Sequence, residues 1–240
     1  MKHTYSLLLG IIFGLSNDQM ANADPGKDRR AMPITRSALA TGLRSVNLDI
    51  EAKEDLISRA AYSHLTEVAY EVCSSLWSEH TNLAEANLLR GVASGKLNIE
   101  KYQGSPDDEL WNISKVSLAE AYRLDPKSPE VMLEYGWFIW NYSIDRDLGK
   151  KLVDKALLLL PNSPRAHTIE GSVLATPGTK YADTTKAIDE IEVAIKLDPT
   201  YAYAHKTLWS VYGGMRRVAD AERERAIADA LVSYPEIPAK

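Results

Sequence analysis

Three side chains in the first half of the chain have the types and spacing of possible metal ligands. His64, Glu67 and Glu71 follow one another at steps of three and four residues, which places them on one side of a helix. Zinc and iron accept such ligands, but the zinc-protease motif has two histidines four residues apart with a glutamate between them. This segment has one histidine, so we interpret it as a solvated, charged helix face.

Two further histidines occupy matching positions in the second half of the chain. His167 and His205 each lie six residues after a proline, Pro161 and Pro199 respectively. Two imidazoles do not complete a metal site and the spacing provides no third ligand, so we expect partly buried packing histidines. The sequence has no phosphate-binding glycine loop, nucleophile elbow or paired-cysteine motif. We therefore predict no enzyme, no catalytic residue, no metal site and no cofactor.

The helices that must position these residues are marked by a repeated pattern. Because the residue before a proline is disfavoured in a helix, an alanine followed by a proline five residues later indicates the end of one helix and the approach of another. The prolines of this pattern are 35, 38 and 36 residues apart, a period typical of stacked helical repeats. The four segments are Ala121–Pro126, Ala156–Pro161, Ala194–Pro199 and Ala230–Pro235.

Small residues recur at the places where paired helices would cross. Gly136 and Gly171 lie ten residues after a proline, and Gly149 and Ala187 lie twelve residues before the next one. Glycine inside a helix costs about 1 kcal/mol relative to alanine, so matched glycines indicate close helix packing. The corresponding residues of the last repeat depart from this pattern and are Trp209 and Arg223.

The period, the alanine–proline closures and the small crossing residues together resemble the tetratricopeptide repeat (TPR) family. The resemblance covers about Pro126–Pro235 as three repeats and extends more weakly back to about Ala84, with Gly91 as a small residue. It implies an all-α fold, a right-handed α-solenoid of stacked antiparallel helix pairs. It also implies a non-catalytic protein–protein interaction module, an adaptor or scaffold that binds a peptide or a partner helix in a concave groove.

The family's binding face is the inner side of the first helix of each repeat. The resemblance places this face four, seven, eleven, fourteen and fifteen residues past each proline. Trp137 and Trp140 would anchor a partner there, or would instead pack as core under the N-terminal helices. Of the lysine and asparagine pattern with which relatives bind a chaperone's C-terminal carboxylate, only Lys206 is present. The predicted groove residues are Glu130, Leu133, Trp137, Trp140, Asn141, Arg165, Thr168, Ser172, Tyr203, Lys206 and Ser210, and the same positions also include Ala175, Thr176, Gly213 and Gly214.

The first 23 residues have the features of a signal peptide. Leu7–Leu15 is an apolar run of nine residues, and Ala21-Asn22-Ala23 fits the small-x-small pattern of signal peptidase. We therefore expect export to a periplasm or to the outside of the cell, with no membrane insertion after signal removal. The remaining segments are a partly ordered arm over 24–47, a capping helix or helices over 48–82, a degenerate repeat over 83–126, three repeats over 127–235 and a tail over 236–240. We expect surface loops over 99–108 and 175–181.

Composition narrows the classes of partner. The net charge of −5 is spread over mixed signs, which provides no electrostatic footprint for nucleic acid or an anionic membrane. Cys73 is the only cysteine, so the chain has no internal disulfide, and we expect a small buried residue rather than an intermolecular bridge.

Two further functions stay open at this point. The array could self-associate through its last repeat, where Trp209 and the stretch Arg216–Arg225 depart from the pattern, and so serve as a subunit of an envelope or transport complex. Alternatively, the tryptophans with His167 and His205 could bind a small molecule or a metal. The sequence does not identify the partner.

Overall fold

The computed structural model describes residues 35–62, 65–104 and 108–232, and the regular structure of these residues is eleven α-helices. The predicted signal peptide, the start of the predicted arm and the tail lie outside these residues. The described chain forms two compact units, with residues up to Tyr135 in unit 1 and residues from Gly136 in unit 2. The predicted all-α fold class is thus confirmed. None of the described helices is both long enough and apolar enough to cross a membrane.

Unit 1 is built from five helices and the first half of a sixth. The helices α4 and α5 form an antiparallel hairpin, in which the Ser114 hydroxyl donates to the Gly91 carbonyl at 2.8 Å and Gly91 faces the Leu118 side chain. The helices are α1 (Arg36–Arg44), α2 (Ile50–Tyr62), α3 (Thr66–Glu79), α4 (Ala84–Tyr102), α5 (Glu109–Leu124) and α6 (Pro129–Asn141).

Helix α1 lies within the segment for which the sequence predicts only a partly ordered arm. Thr35 caps it, since the Thr35 hydroxyl accepts a hydrogen bond from the Ala38 N–H at 3.1 Å. Leu39 and Leu43 are fully buried, because α1 packs against α2 and α3. The pattern is hard to detect in the sequence because a nine-residue helix presents only two turns of apolar spacing.

The predicted loop over 99–108 is shorter in the structure. Helix α4 continues to Tyr102 and ends at Gln103, which has a left-handed φ of 54°. The next helix begins after Asp108, whose carboxylate accepts from the Leu110 N–H at 2.8 Å. Residues 99–102 were therefore wrongly assigned to a loop, since the glycine and proline that suggested it follow the end of the helix.

Unit 2 contains the second half of α6 and five complete helices. Asp145 and Asp183 cap α7 and α9, and each carboxylate accepts from the N–H three residues later, at 2.9 and 3.0 Å. Ser163 caps α8 in the same manner, directly before Pro164. The complete helices are α7 (Arg146–Leu159), α8 (Pro164–Leu174), α9 (Thr184–Leu197), α10 (Ala202–Gly214) and α11 (Val218–Val232).

The predicted helix crossings of unit 2 are confirmed at two hairpins. A Cβ atom added to Gly136 would lie 3.0 Å from the Gly149 carbonyl oxygen, and one added to Gly149 would lie 2.9 Å from the Gly136 oxygen. A Cβ on Gly171 would lie 2.9 Å from the Ala187 oxygen and 2.5 Å from Ile191 Cγ1. The helices approach so closely that only a hydrogen atom fits at each glycine. These hairpins are TPR-like.

Helix α11 has a different register from the one that the fourth alanine–proline segment predicts. Helix α9 begins at Thr184 and α11 at Val218, an offset of 34 residues, whereas the prolines are 36 residues apart. With the offset of 34, the buried Ala194 of α9 corresponds to Ala228, which is also buried, while Ala230 is exposed. The fourth segment is therefore two residues out of phase with the packing.

This register explains why the last hairpin appears irregular in sequence. The small buried residue near its crossing is Ala221, while Arg223, which the pattern placed there, is exposed. Trp209 keeps 39% of its surface exposed, and the Arg225 guanidinium lies 5.7 Å from the centre of its ring. The connection between α10 and α11 is short, and Arg216 adopts a left-handed φ of 59° within it.

Candidate partner-binding face

The predicted face positions on α6 are mostly filled in the free chain. Leu133 and Trp140 are 1% and 2% exposed, Trp137 is half-buried, and Asn141 is exposed. The Glu130 carboxylate accepts a hydrogen bond from the Ser128 hydroxyl at 2.9 Å. Helix α6 therefore offers Trp137 and Asn141, but neither Leu133 nor Trp140, to a partner.

Trp140 is buried within unit 2, where it contacts α7 and the connection that follows α8, whereas the core alternative placed it under the N-terminal helices. Its indole Nε1 donates to the Thr176 hydroxyl at 3.3 Å, and its ring lies 5.7 Å from the Tyr181 ring at an interplanar angle of 57°. Gly149 faces its backbone, and the Arg146 guanidinium lies 5.7 Å from its ring centre. A buried indole with a satisfied N–H is a packing residue, since it would have to leave these contacts to anchor a partner.

The face positions on α8 are also covered, or are hydrogen-bonded within the helix. Arg165 and Thr168 are buried and Ser172 is half-buried. The hydroxyls of Thr168, Ser172 and Thr176 each donate to the carbonyl four residues earlier, at 2.8, 2.9 and 3.0 Å. With their protons used in this way, these hydroxyls can only accept further hydrogen bonds.

Helix α10 differs, because three of its five corresponding positions are exposed and none is buried. Ser210, Gly213 and Gly214 are exposed, and Tyr203 and Lys206 are half-buried. A Cβ atom added to Gly213 or to Gly214 would meet nothing within 4 Å. These five residues, Tyr203, Lys206, Ser210, Gly213 and Gly214, are called the α10 face below.

The Lys206 ammonium gives the α10 face its charge. Burial lowers the pKa of Lys206, because a partly desolvated ammonium is disfavoured, and the Asp229 carboxylate of α11 opposes this shift. An additional carboxylate from a partner would act in the same direction as Asp229. The electrostatics of the α10 face therefore favour an acidic partner group.

The histidines and carboxylates with possible catalytic or metal-binding chemistry are engaged elsewhere. His167 and His205 each use both ring nitrogens within their own hairpin, as detailed below. His64 lies outside the described residues. Glu67 pairs with Lys101 at 2.7 Å, a hydrogen bond that lowers the pKa of Glu67, and Glu71 pairs with Arg36 at 3.4 Å. The described residues contain no group of three histidine, cysteine or acidic side chains placed to hold a metal ion.

Two members of the α10 face lie at face positions that the sequence predicts, although they are not among the predicted groove residues. Gly213 and Gly214 fall at face positions, yet a glycine pair near the end of a helical segment is also a common helix-end signal. In the structure α10 continues through Gly214, and neither glycine has a positive φ. The available signal was therefore their position relative to Pro199, which is the same as that of Trp140 and Asn141 relative to Pro126.

Comparison with known proteins finds similarity in structure only. No protein-family model matches the sequence, and no curated protein matches it. A crystal structure of MamA is 20% identical, covers 77% of this chain and 95% of its own, and has a TM-score of 0.43. YrrB, a TPR protein with an unusual peptide-binding site, is 15% identical over 82% of this chain and 93% of its own, with a TM-score of 0.42. MamA from residue 41 to its end, from Desulfovibrio magneticus RS-1, is 16% identical over 77% and 96%, with a TM-score of 0.43.

Proposed function

We propose that this chain is a non-catalytic protein-interaction module that binds a peptide segment or a partner helix on the α10 face. The observation that carries the proposal is the pair of helical glycines Gly213 and Gly214, which no neighbouring atom requires to be small. Glycine costs up to about 1 kcal/mol relative to alanine in a helix, and these two, in the last turn of α10, have no packing gain in the free chain. Close approach of a partner's backbone to α10 would require small residues at Gly213 and Gly214.

The side chains of the α10 face suit a peptide with an acidic group. The Tyr203 ring provides apolar surface with a polar tip, and the Ser210 hydroxyl is exposed to a partner. The Lys206 ammonium is partly desolvated, so a carboxylate beside it recovers part of the lost solvation. We therefore propose an acidic peptide or an acidic helix face as the preferred ligand.

A binding role is favoured over catalysis by the state of the ionisable groups. The Cys73 thiol is fully buried, and burial raises its pKa to about 12, so it is not a nucleophile at neutral pH. Both ring nitrogens of His167 and of His205 face acceptors within the protein. These contacts also weigh against the alternative of a metal or small-molecule site at the two histidines.

Export to a periplasm or to the outside of the cell is part of the proposal. It rests on the apolar run Leu7–Leu15 and on Ala21-Asn22-Ala23 in the sequence. An exported interaction module would find its partner in the same compartment. Mass spectrometry of the secreted chain should find an N-terminus at Asp24, and an intact Met1 in the exported fraction would contradict this part.

The test is a selection of peptides on the folded chain, followed by a blocked variant. A random peptide library is selected on the wild type, and the enriched peptides are measured by fluorescence anisotropy. Gly213→Leu adds a side chain where 4 Å around the Cβ position is empty, so it should keep the fold and cover the α10 face. We expect at least about a tenfold loss of affinity, the effect of about 1.4 kcal/mol.

The matched control is Ala226→Leu, the same kind of addition at an exposed position of α11. It should bind the enriched peptides as the wild type does. Equal binding by wild type and Gly213→Leu, or loss of binding in both variants, would contradict the proposed site. Failure to enrich any peptide would contradict the proposed function.

A further inference from the structure

Two hairpins of unit 2 contain the same arrangement around a histidine. In α8, His167 Nδ1 lies 2.8 Å from Glu190 Oε2 of α9, and His167 Nε2 lies 3.0 Å from the Pro161 carbonyl oxygen. In α10, His205 Nδ1 lies 2.8 Å from Glu224 Oε2 of α11. The second contact of that ring is from His205 Nε2 to the Pro199 carbonyl oxygen at 3.3 Å. We call each arrangement a histidine clasp.

Both partners of each ring are hydrogen-bond acceptors. A backbone carbonyl can only accept, and an ionised glutamate can only accept. A neutral imidazole has one N–H and therefore satisfies one of the two partners, while its bare nitrogen faces the lone pairs of the other. The imidazolium has two N–H donors and satisfies both. The geometry of each clasp is thus complete only when the ring carries both protons.

Each clasp connects the turn before the first helix of a hairpin to the second helix of the same hairpin. Pro161 and Pro199 lie in the turns that precede α8 and α10, and Glu190 and Glu224 lie on the second helix of the same hairpin. A doubly protonated ring fixes the entry turn to the second helix. Loss of one proton frees either the turn or the glutamate.

The helices that carry the clasps also carry other charged groups, as does α7. On the side of α7, Lys150 and Asp154 pair with each other, and Lys150 also bonds Glu170 of α8 at 3.2 Å. On α11, Arg223 Nε contacts the second oxygen of Glu224 at 3.4 Å, which leaves Oε2 for the histidine. Lys186 of α9 acts electrostatically on Glu170 of α8, and Asp229 of α11 acts on Lys206 of α10. Glu192 of α9 and Arg217, Asp220 and Glu224 of α11 act on Tyr212 of α10.

We propose that the two histidine clasps make unit 2 pH-sensitive: His167 and His205 are imidazolium ions in the closed hairpins, and deprotonation loosens the entry turns of α8 and α10. Folding then binds protons at these rings, so their contribution to stability is present at acidic pH and is lost as the pH rises. The entry turn of α10 leads directly into the helix that carries the α10 face. Deprotonation of His205 would therefore affect the proposed binding face more directly than deprotonation of His167. The proposal does not depend on what the α10 face binds.

The direct test is ¹⁵N NMR of the imidazole rings in the full chain. His167→Gln and His205→Gln assign the two rings, and the exposed His80 serves as the reference within the same molecule. We expect both nitrogens of His167 and of His205 to show the protonated pattern at a pH where His80 is already neutral. Rings that become neutral together with His80 would overturn the proposal.

A second measurement uses the conservative variants Glu190→Gln and Glu224→Gln. A glutamine amide can donate to Nδ1 of a neutral ring, whose Nε2–H then serves the proline carbonyl, so the arrangement persists without the second proton. For wild type we expect the melting temperature to fall by about 2–4 °C more per clasp than for the matching variant as the pH is raised from acidic to alkaline. An equal fall in wild type and in both variants would overturn the proposal.

Discussion

At the scale of single residues, glycines with opposite surroundings occur in helices of the same unit. Gly171 lies against Ile191 and the Ala187 carbonyl, whereas Gly213 has no atom within 4 Å of its Cβ position. The first is small because two helices meet there. The second has no such neighbour in the free chain, and the proposed function gives contact with a partner as the reason that it is small.

Alanine substitution should separate these two kinds of glycine. We expect Gly171→Ala to destabilise the protein by about 1–3 kcal/mol, because the added methyl group would lie 2.5 Å from Ile191 Cγ1. Gly213→Ala should leave stability unchanged or raise it by up to about 1 kcal/mol through helix propensity. Urea unfolding followed by circular dichroism measures both, and similar effects of the two substitutions would contradict this distinction.

The state of Cys73 provides a second prediction at this scale. The thiol is fully buried, and burial raises its pKa to about 12, so the reactive thiolate is absent at neutral pH. We expect no modification by iodoacetamide at pH 8 in the native protein and complete modification in urea. Rapid native modification, or a disulfide-linked dimer under non-reducing conditions, would contradict the buried position.

At the scale of helices, sequence spacing predicts the crossings better than it predicts the orientation of large side chains. The pairing of Gly136 with Gly149 could be predicted because close contact between helices demands small residues at both positions. Trp140 could not be assigned, since an indole suits a binding face and a core equally well. Its packing depends on Thr176 and Tyr181, which come from a loop whose course the sequence does not fix.

The two tryptophans on comparable helices should therefore respond differently to truncation. Trp140→Ala should cost about 3–5 kcal/mol, because it removes a fully buried indole. Trp209→Ala should cost less than about 1 kcal/mol, since 39% of that side chain is exposed. Thermal unfolding of both variants gives the comparison. A folded Trp140→Ala variant with the wild-type melting temperature would return Trp140 to the binding face.

The register of α11 shows a further limit of the sequence. A proline disfavours a helical conformation at the residue before it, but it does not determine which residues of the preceding helix face the core. Pro235 therefore does not fix the register of α11. The phase is set by the short connection from α10 and by the burial of Ala221 and Ala228. The sequence correctly predicts a small residue at each helix crossing, but in α11 it places this residue two positions too late, at Arg223 instead of Ala221.

At the scale of the whole molecule, the outer stripe of α11 bears on self-association. Helices α9 and α11 correspond to each other with an offset of 34 residues. Three isoleucines of α9 belong to, or pack against, the apolar core that α9 shares with α10, and the corresponding residues of α11 are charged. Arg225 forms ion pairs with Glu222 and Asp229 at 3.7 Å. A polar outer face is what ends a stack of repeats. The corresponding pairs are Ile188 and Glu222, Ile191 and Arg225, and Ile195 and Asp229.

An apolar stripe introduced on α11 should cause copies of the chain to associate through this helix. We expect the triple substitution Glu222→Ile, Arg225→Ile and Asp229→Ile to raise the solution mass above that of the wild type, because the exposed stripe then resembles the buried surface of α9. Light scattering on both proteins decides this. An unchanged mass would contradict this role of the charged stripe, and a wild type that already stacks through α11 would favour the self-assembling subunit over the adaptor.

Binding of a partner on the α10 face can be observed by backbone amide NMR of the full chain during titration with a selected peptide. We expect the shift changes on titration to concentrate at Lys206, Ser210, Gly213 and Gly214. We also expect these changes to disappear in Gly213→Leu and to persist in Ala226→Leu. Changes centred on Trp137 and Asn141 of α6, or on the outer stripe of α11, would contradict it.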